Sequence, residues 1–147
     1  MITKKYIIVL PMFFLLSMNN VIAMNHLPKE YRSSTIFELI EQYSDQYGVH
    51  LNLAIPLANF ESKFNPLAKN PKSSAKGVYQ FVDGTWKGLC KGNVLDAEDN
   101  IKCAMRIIGD GGITHWTSDL TIRTKLWDLG LLKCYDFKTN KCKLVWD

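Results

Sequence analysis

Four cysteines, Cys90, Cys103, Cys134 and Cys142, set the strongest limit on what this 147-residue chain can fold into. An even set in a short exported chain reads as two disulfides, which close loops and persist only in an oxidising compartment. Three pairings are open. Locality favours Cys90–Cys103 with Cys134–Cys142, because each pair encloses a short segment of one local unit. Zinc is the competing use of these thiols, but there is no CxxC, and His26, His50 and His115 are scattered without ligand spacing. No metal and no cofactor is expected.

The first residues point to the same compartment. Lys4 and Lys5 precede an apolar run from Tyr6 to Met18, and Val21-Ile22-Ala23 offers a cleavage site after Ala23. The run is about 13 residues, short of the roughly 20 that span a bilayer. Residues 1–23 are therefore expected to be a secretory signal peptide, with an uncleaved anchor as the alternative. Residues 24–147 form one domain, periplasmic or secreted from a bacterium, that meets the membrane only during export. Losing Lys4 and Lys5 takes the 18 Lys and Arg to 16, against 14 Asp and Glu, a net charge of +2. No basic run suggests nucleic acid, and so mild an excess says little about partners.

Periodicity makes the domain mostly helical. In "SSTIFELIEQYSDQYGV", Ile36, Leu39, Ile40, Tyr43 and Tyr47 recur at helical spacing, Ser33 or Ser34 can cap the start, and Gly48 ends it. A second helix holds "LAIPLANFESKFN", with Asn52 as candidate N-cap and Pro56 near the first turn. A Pro-, Asn-, Ser- and Lys-rich loop follows, then a short extended piece and a short helix that Asp83 or Thr85 could cap. "DAEDNIKCAMRII" reads as a helix with Asp96 as N-cap and acids in its first turn. "THWTSDLTIRTKLWDLG" is expected to be helical in part. "LLKCYDFKTNKCKLVWD" reads as a hairpin turning near Lys138-Thr139-Asn140.

One residue breaks the pattern. At 100° per residue, with Leu53 at zero, Glu61 falls at about 80°, inside the arc of Leu57, Phe60, Ala54 and Ala58. Lys63 falls on the opposite side and offers no local partner. Glu61 is thus either half of a buried ion pair or an acid lining a cleft. In a cleft, desolvation would keep it partly protonated near neutral pH, as a general acid for a glycosidic oxygen requires.

Ala54-Ile55, Glu61-Ser62, Phe64-Asn65-Pro66, Gly77-Val78-Tyr79-Gln80 and Asp99-Asn100-Ile101 follow one another in order. This ordered set resembles the lytic transglycosylase domain of the soluble transglycosylase type, related to goose-type lysozyme, over about residues 37–108. The resemblance implies a lysozyme-like, mainly α fold with helices around a sugar-binding cleft and a small C-terminal β-hairpin. It implies Glu61 as the catalytic acid and Ser62 and Gln80 as substrate contacts. Gly77 would let the backbone approach Glu61, and Tyr79 would stand as a wall of the site. The substrate would be peptidoglycan glycan strands, cut between N-acetylmuramic acid and N-acetylglucosamine with 1,6-anhydro ends.

The pattern departs after Gly109, where "GDGGITHWTSDL" stands in place of an Ala-Tyr-Asn-x-Gly segment; His115 and Trp116 are the candidates for that sugar-facing role. Asp83 is read mainly as a helix cap and only secondarily as a hydrolytic partner of Glu61. Two alternatives stay open: a lysozyme-type hydrolase of the same bond, and a non-catalytic wall-binding or assembly module. Small size and export suit a partner such as a secretion, pilus or conjugation apparatus.

Overall fold

The computed structural model describes residues 34–145; the signal segment, its cleavage site and the candidate cap Ser33 lie outside the described residues. Among the described residues, six helices and one antiparallel hairpin run in the order α1 (Ser34–Tyr47), α2 (Leu51–Ser62), α3 (Asp83–Leu89), α4 (Ala97–Gly109), α5 (Thr114–Thr117), α6 (Leu120–Asp128), β1 (Leu132–Asp136) and β2 (Lys141–Leu144). The fold is mainly α with a small β element, as the periodicity and the resemblance imply. No described helix is long and apolar enough to cross a membrane.

The core is the meeting of α1 and α4. Ile36, Ile40 and Tyr43 of α1 face Ile101, Ala104, Met105 and Ile108 of α4, all buried. Each fully buried aliphatic side chain there contributes about 2 kcal/mol. Leu39 and Tyr47 are half-buried at the edge of the stripe. Ser44 Oγ donates to Met105 Sδ at 3.3 Å inside the contact. At their C-terminal ends the helices nearly touch, because a Cβ on Gly109 would lie 2.4 Å from the Tyr47 carbonyl oxygen. Asp96 caps α4 as expected, accepting from the Asp99 N–H at 3.0 Å.

Helix α2 buries Leu53, Ala54, Leu57 and Ala58 and packs on both α1 and α6. It starts two residues earlier than the sequence suggested, with His50 rather than Asn52 at the N-cap and no side-chain cap bond. Pro56 therefore lies inside the helix. Its missing N–H orphans only the carbonyl of Asn52, an exposed residue that water can reach. Asp83 is likewise the first residue of α3 rather than its cap, which is Val82.

Both disulfides take the local pairing, Cys90–Cys103 and Cys134–Cys142. The first ties the end of α3 to α4. The second joins directly opposed residues of the hairpin, in a register that also pairs Leu132 with Leu144 and Lys133 with Lys143. Leu132 and Leu144 are buried, and β1 packs on α6. The turn falls where expected, with Asp136 Oδ1 accepting from the N–H groups of Lys138 and Thr139 and Asn140 at φ 56°.

Candidate active site

Glu61 stands on the last turn of α2, and the chain turns sharply just behind it. Lys63 and Phe64 both take left-handed backbone, at φ 56° and 63°. For residues with a Cβ this costs about 1–2 kcal/mol each. The Lys63 N–H closes the helix on the Asn59 carbonyl, and the Phe64 ring seats on Phe37, centroids 4.9 Å apart. Packing of Phe64 holds a turn that propensity alone would not choose.

A second tight turn faces it. Lys76 and Phe81 exchange both main-chain hydrogen bonds at 3.0 Å, closing the loop Gly77-Val78-Tyr79-Gln80. Asn100, fully buried on α4, holds this loop: its Oδ1 accepts from the Tyr79 N–H at 2.9 Å, and its Nδ2 donates to the carbonyls of Val94 and Lys76. Gly77 has φ 80°, and a Cβ there would lie 2.1 Å from Asn100 Nδ2. This glycine makes room for Asn100 and the Val94 carbonyl.

The opposite wall comes from α5 and α6. Trp116 is buried and donates its indole N–H to the Tyr79 carbonyl at 2.9 Å, with Phe81 edge-on 5.5 Å away. Asp119 caps α6, its Oδ1 accepting from the N–H groups of Thr121 and Ile122. Lys125 lies on the same helix, its ammonium 4.8 Å from the centre of the Phe60 ring. Between the two walls runs an open cleft of about 430 Å³, lined by Glu61, Gln80, His115, Trp116, Asp119 and Lys125 among others.

Glu61 is half-buried in this cleft, and its pKa is pushed up to about 7. Burial is the main cause; the Asp119 carboxylate adds to it, and the Lys125 ammonium opposes both. Near neutral pH the group exchanges its proton readily, as an acid that later serves as a base must.

The sequence candidates divide on this geometry. Glu61, Gln80, His115 and Trp116 line the cleft. Gln80, at φ 51°, directs its amide nitrogen to the carbonyls of Gly77 and Ala68, which leaves its side-chain oxygen as the group for a ligand. Tyr79, Gly77 and Ser62 do not line it. Tyr79 is fully buried, its hydroxyl donating to the Ala54 carbonyl at 2.9 Å, so it ties α2 to the loop instead of meeting substrate. Ser62 Oγ bonds back to the Ala58 carbonyl at 3.3 Å. Asp83 is outside the cleft and paired with Lys76 at 2.8 Å, whose ammonium holds its carboxyl below the usual range. Asp119 and Lys125 went unnoticed in the sequence; the one available signal was Ser118-Asp119 before an apolar-periodic run, and that signal means only a helix cap.

The family model described as Transglycosylase SLT domain matches residues 38–111, 74 of the 147. The chain belongs to this family. Membership supports lytic transglycosylase activity on peptidoglycan in general, and with it an extracytoplasmic place of work, which two disulfides suit. No curated protein and no solved structure matched the chain. The matched SLT stretch contains Glu61 and Gln80, whereas His115, Trp116, Asp119 and Lys125 follow it.

Proposed function

We propose that the protein cleaves the β-1,4 bond between N-acetylmuramic acid and N-acetylglucosamine with Glu61 as the one catalytic carboxylate. The observation that carries this reading is Glu61 itself, a half-buried acid in an open cleft with its pKa pushed up to about 7. As the acid, Glu61 gives its proton to the bridge oxygen while the bond from that oxygen to the anomeric carbon breaks. As the carboxylate, it takes the proton of the muramoyl 6-hydroxyl, whose oxygen bonds to the same anomeric carbon. The product is a 1,6-anhydro end, formed without water. An internal nucleophile has a high effective concentration, which offsets the lack of a carboxylate nucleophile. Gln80 through its oxygen, and His115 and Trp116 through their ring faces, are the proposed sugar contacts.

Asp119 favours a second reading. Retaining glycosidases place a second carboxylate about 5–5.5 Å from the acid and inverting ones about 6.5–9.5 Å, the latter leaving room for water. A second acid lines this cleft. Its Oδ1 is engaged by two main-chain N–H groups, which suits a fixed charge better than a moving nucleophile. Mass spectrometry of digested sacculi separates the readings: 1,6-anhydro ends support the transglycosylase, and reducing ends alone overturn it in favour of hydrolysis. Binding without any cleavage would leave a wall-binding module. The proposed setting is local wall opening after export by a cleaved signal peptide, for a secretion, pilus or conjugation apparatus; loss of assembly of one such apparatus in a deletion strain would test it.

A further inference from the structure

Among the described residues, Lys125 is a cation without a salt-bridge partner in a cleft lined by two carboxylates. Among the described residues the salt bridges are Lys76–Asp83 and Arg106–Asp110, so Lys125 pairs with neither Glu61 nor Asp119. Its ammonium instead rests over the face of Phe60, the residue before Glu61, and the side chain is half-buried. Attraction to the ring face holds the ammonium in place and leaves the N–H donors on its far side for another acceptor. Lys125 still opposes the rise of the Glu61 pKa, but burial and the Asp119 carboxylate outweigh it. With Glu61 protonated for the first chemical step, the described residues that line the cleft keep one carboxylate, Asp119, and one ammonium, Lys125.

We propose that Lys125 is the anion contact of this cleft and takes a carboxylate carried by the glycan beside the bond that breaks. This rests on the peptidoglycan reading above and names what the site selects within that class. Two carboxylate sources exist on such a glycan: the lactyl group of a muramoyl residue stripped of peptide, and the acidic residues of an attached stem peptide. A chitin oligomer has the same backbone and no carboxylate. Lys125 thus makes the site select acidic glycan over neutral glycan, a choice Glu61 cannot make.

The test is titration calorimetry with the Glu61→Gln chain, in which turnover is blocked, against three glycans of equal length: peptide-free peptidoglycan glycan, peptide-bearing glycan and a chitin oligomer. At least one acidic glycan is expected to bind about fivefold tighter than the chitin oligomer, with the preference shrinking as salt rises. A preference for the peptide-free strand alone identifies the lactyl carboxylate, and one that persists with peptide attached identifies the stem. Adding Lys125→Met should erase the preference with chitin binding unchanged, and Lys125→Arg should keep it. Equal affinities for all three glycans overturn the proposal whatever the variants do, as does Lys125→Met weakening acidic and neutral glycans alike. Lysis of sacculi by the unmodified chain is read in parallel. Normal lysis without the preference sinks this inference alone, whereas a preference without lysis sinks the catalytic reading alone.

Discussion

Residues 38–111 and residues 112–145 each supply one wall of the cleft, and they do so by different means. The first wall belongs to the apolar core: α2 carries Glu61 on the edge of a face that buries Leu53, Leu57 and Ala58, and Asn100 of α4 fixes the loop opposite. The second wall comes from two short helices: α5 brings His115 and Trp116, and α6 brings charge, with Asp119 at its cap and Lys125 six residues further on. Both charges that act on Glu61 come from the second wall. The family stretch thus contains Glu61, and the segment beyond it carries the two charges that bear on its pKa. Trp116 joins the two through its bond to the Tyr79 carbonyl.

If the first wall holds the chemistry, Glu61→Gln should lower the rate of sacculus lysis by about 10²–10⁴-fold; undiminished lysis would remove Glu61 from its role. The same variant should be more stable than the native chain at pH 8. Folding raises the Glu61 pKa from 4.5 to about 7, so the ionised carboxyl destabilises the fold increasingly as pH climbs from 4.5 to 7. Below pH 4.5 the acid is protonated folded or unfolded, and the gain should vanish. Partial exposure limits it at pH 8 to about 2 kcal/mol, read as thermal melts at the two pH values. Activity, in turn, should fall as pH rises through about 7, where Glu61 loses the proton it must donate.

Asn100→Ala tests whether the loop of the first wall depends on α4. It strands the buried Tyr79 N–H and the carbonyls of Val94 and Lys76, so a loss of about 3 kcal/mol in urea unfolding is expected, with activity falling as the loop loosens. A loss below 1 kcal/mol would mean that water replaces the side chain. Replacing Cys134 and Cys142 together by Ser tests the second wall, since the hairpin supports α6. Closing so short a loop contributes about 2.5 kcal/mol, and the unfolding midpoint should drop accordingly. An unchanged midpoint would show that Leu132 and Leu144 hold the hairpin unaided.

The smallest effect sharpens the comparison most. Asparagine caps a helix as well as aspartate does, so Asp119→Asn should leave the melting temperature alone. Removing the charge should move the alkaline limb of the activity profile to lower pH, because one of the two influences that raise the Glu61 pKa is gone. An unmoved limb with activity reduced by orders of magnitude would instead make Asp119 a partner in hydrolysis.

Much of this was legible before any coordinates, where the governing interactions are local. The direction of Glu61 follows from 3.6 residues per turn, the Asp96 cap from three residues of spacing, and both disulfides from the short segments they close. Tyr79 shows the limit. It sits among apparent site residues, yet its phenol is buried against the Ala54 carbonyl, 25 residues away in sequence. Asp119 and Lys125 show it from the other side: a helix cap and a surface-pattern lysine become cleft charges only because α6 packs on α2. Periodicity along one segment determines which face an acid turns inward. Which charges meet it there depends on contacts between segments some sixty residues apart, and the packing of whole helices decides them.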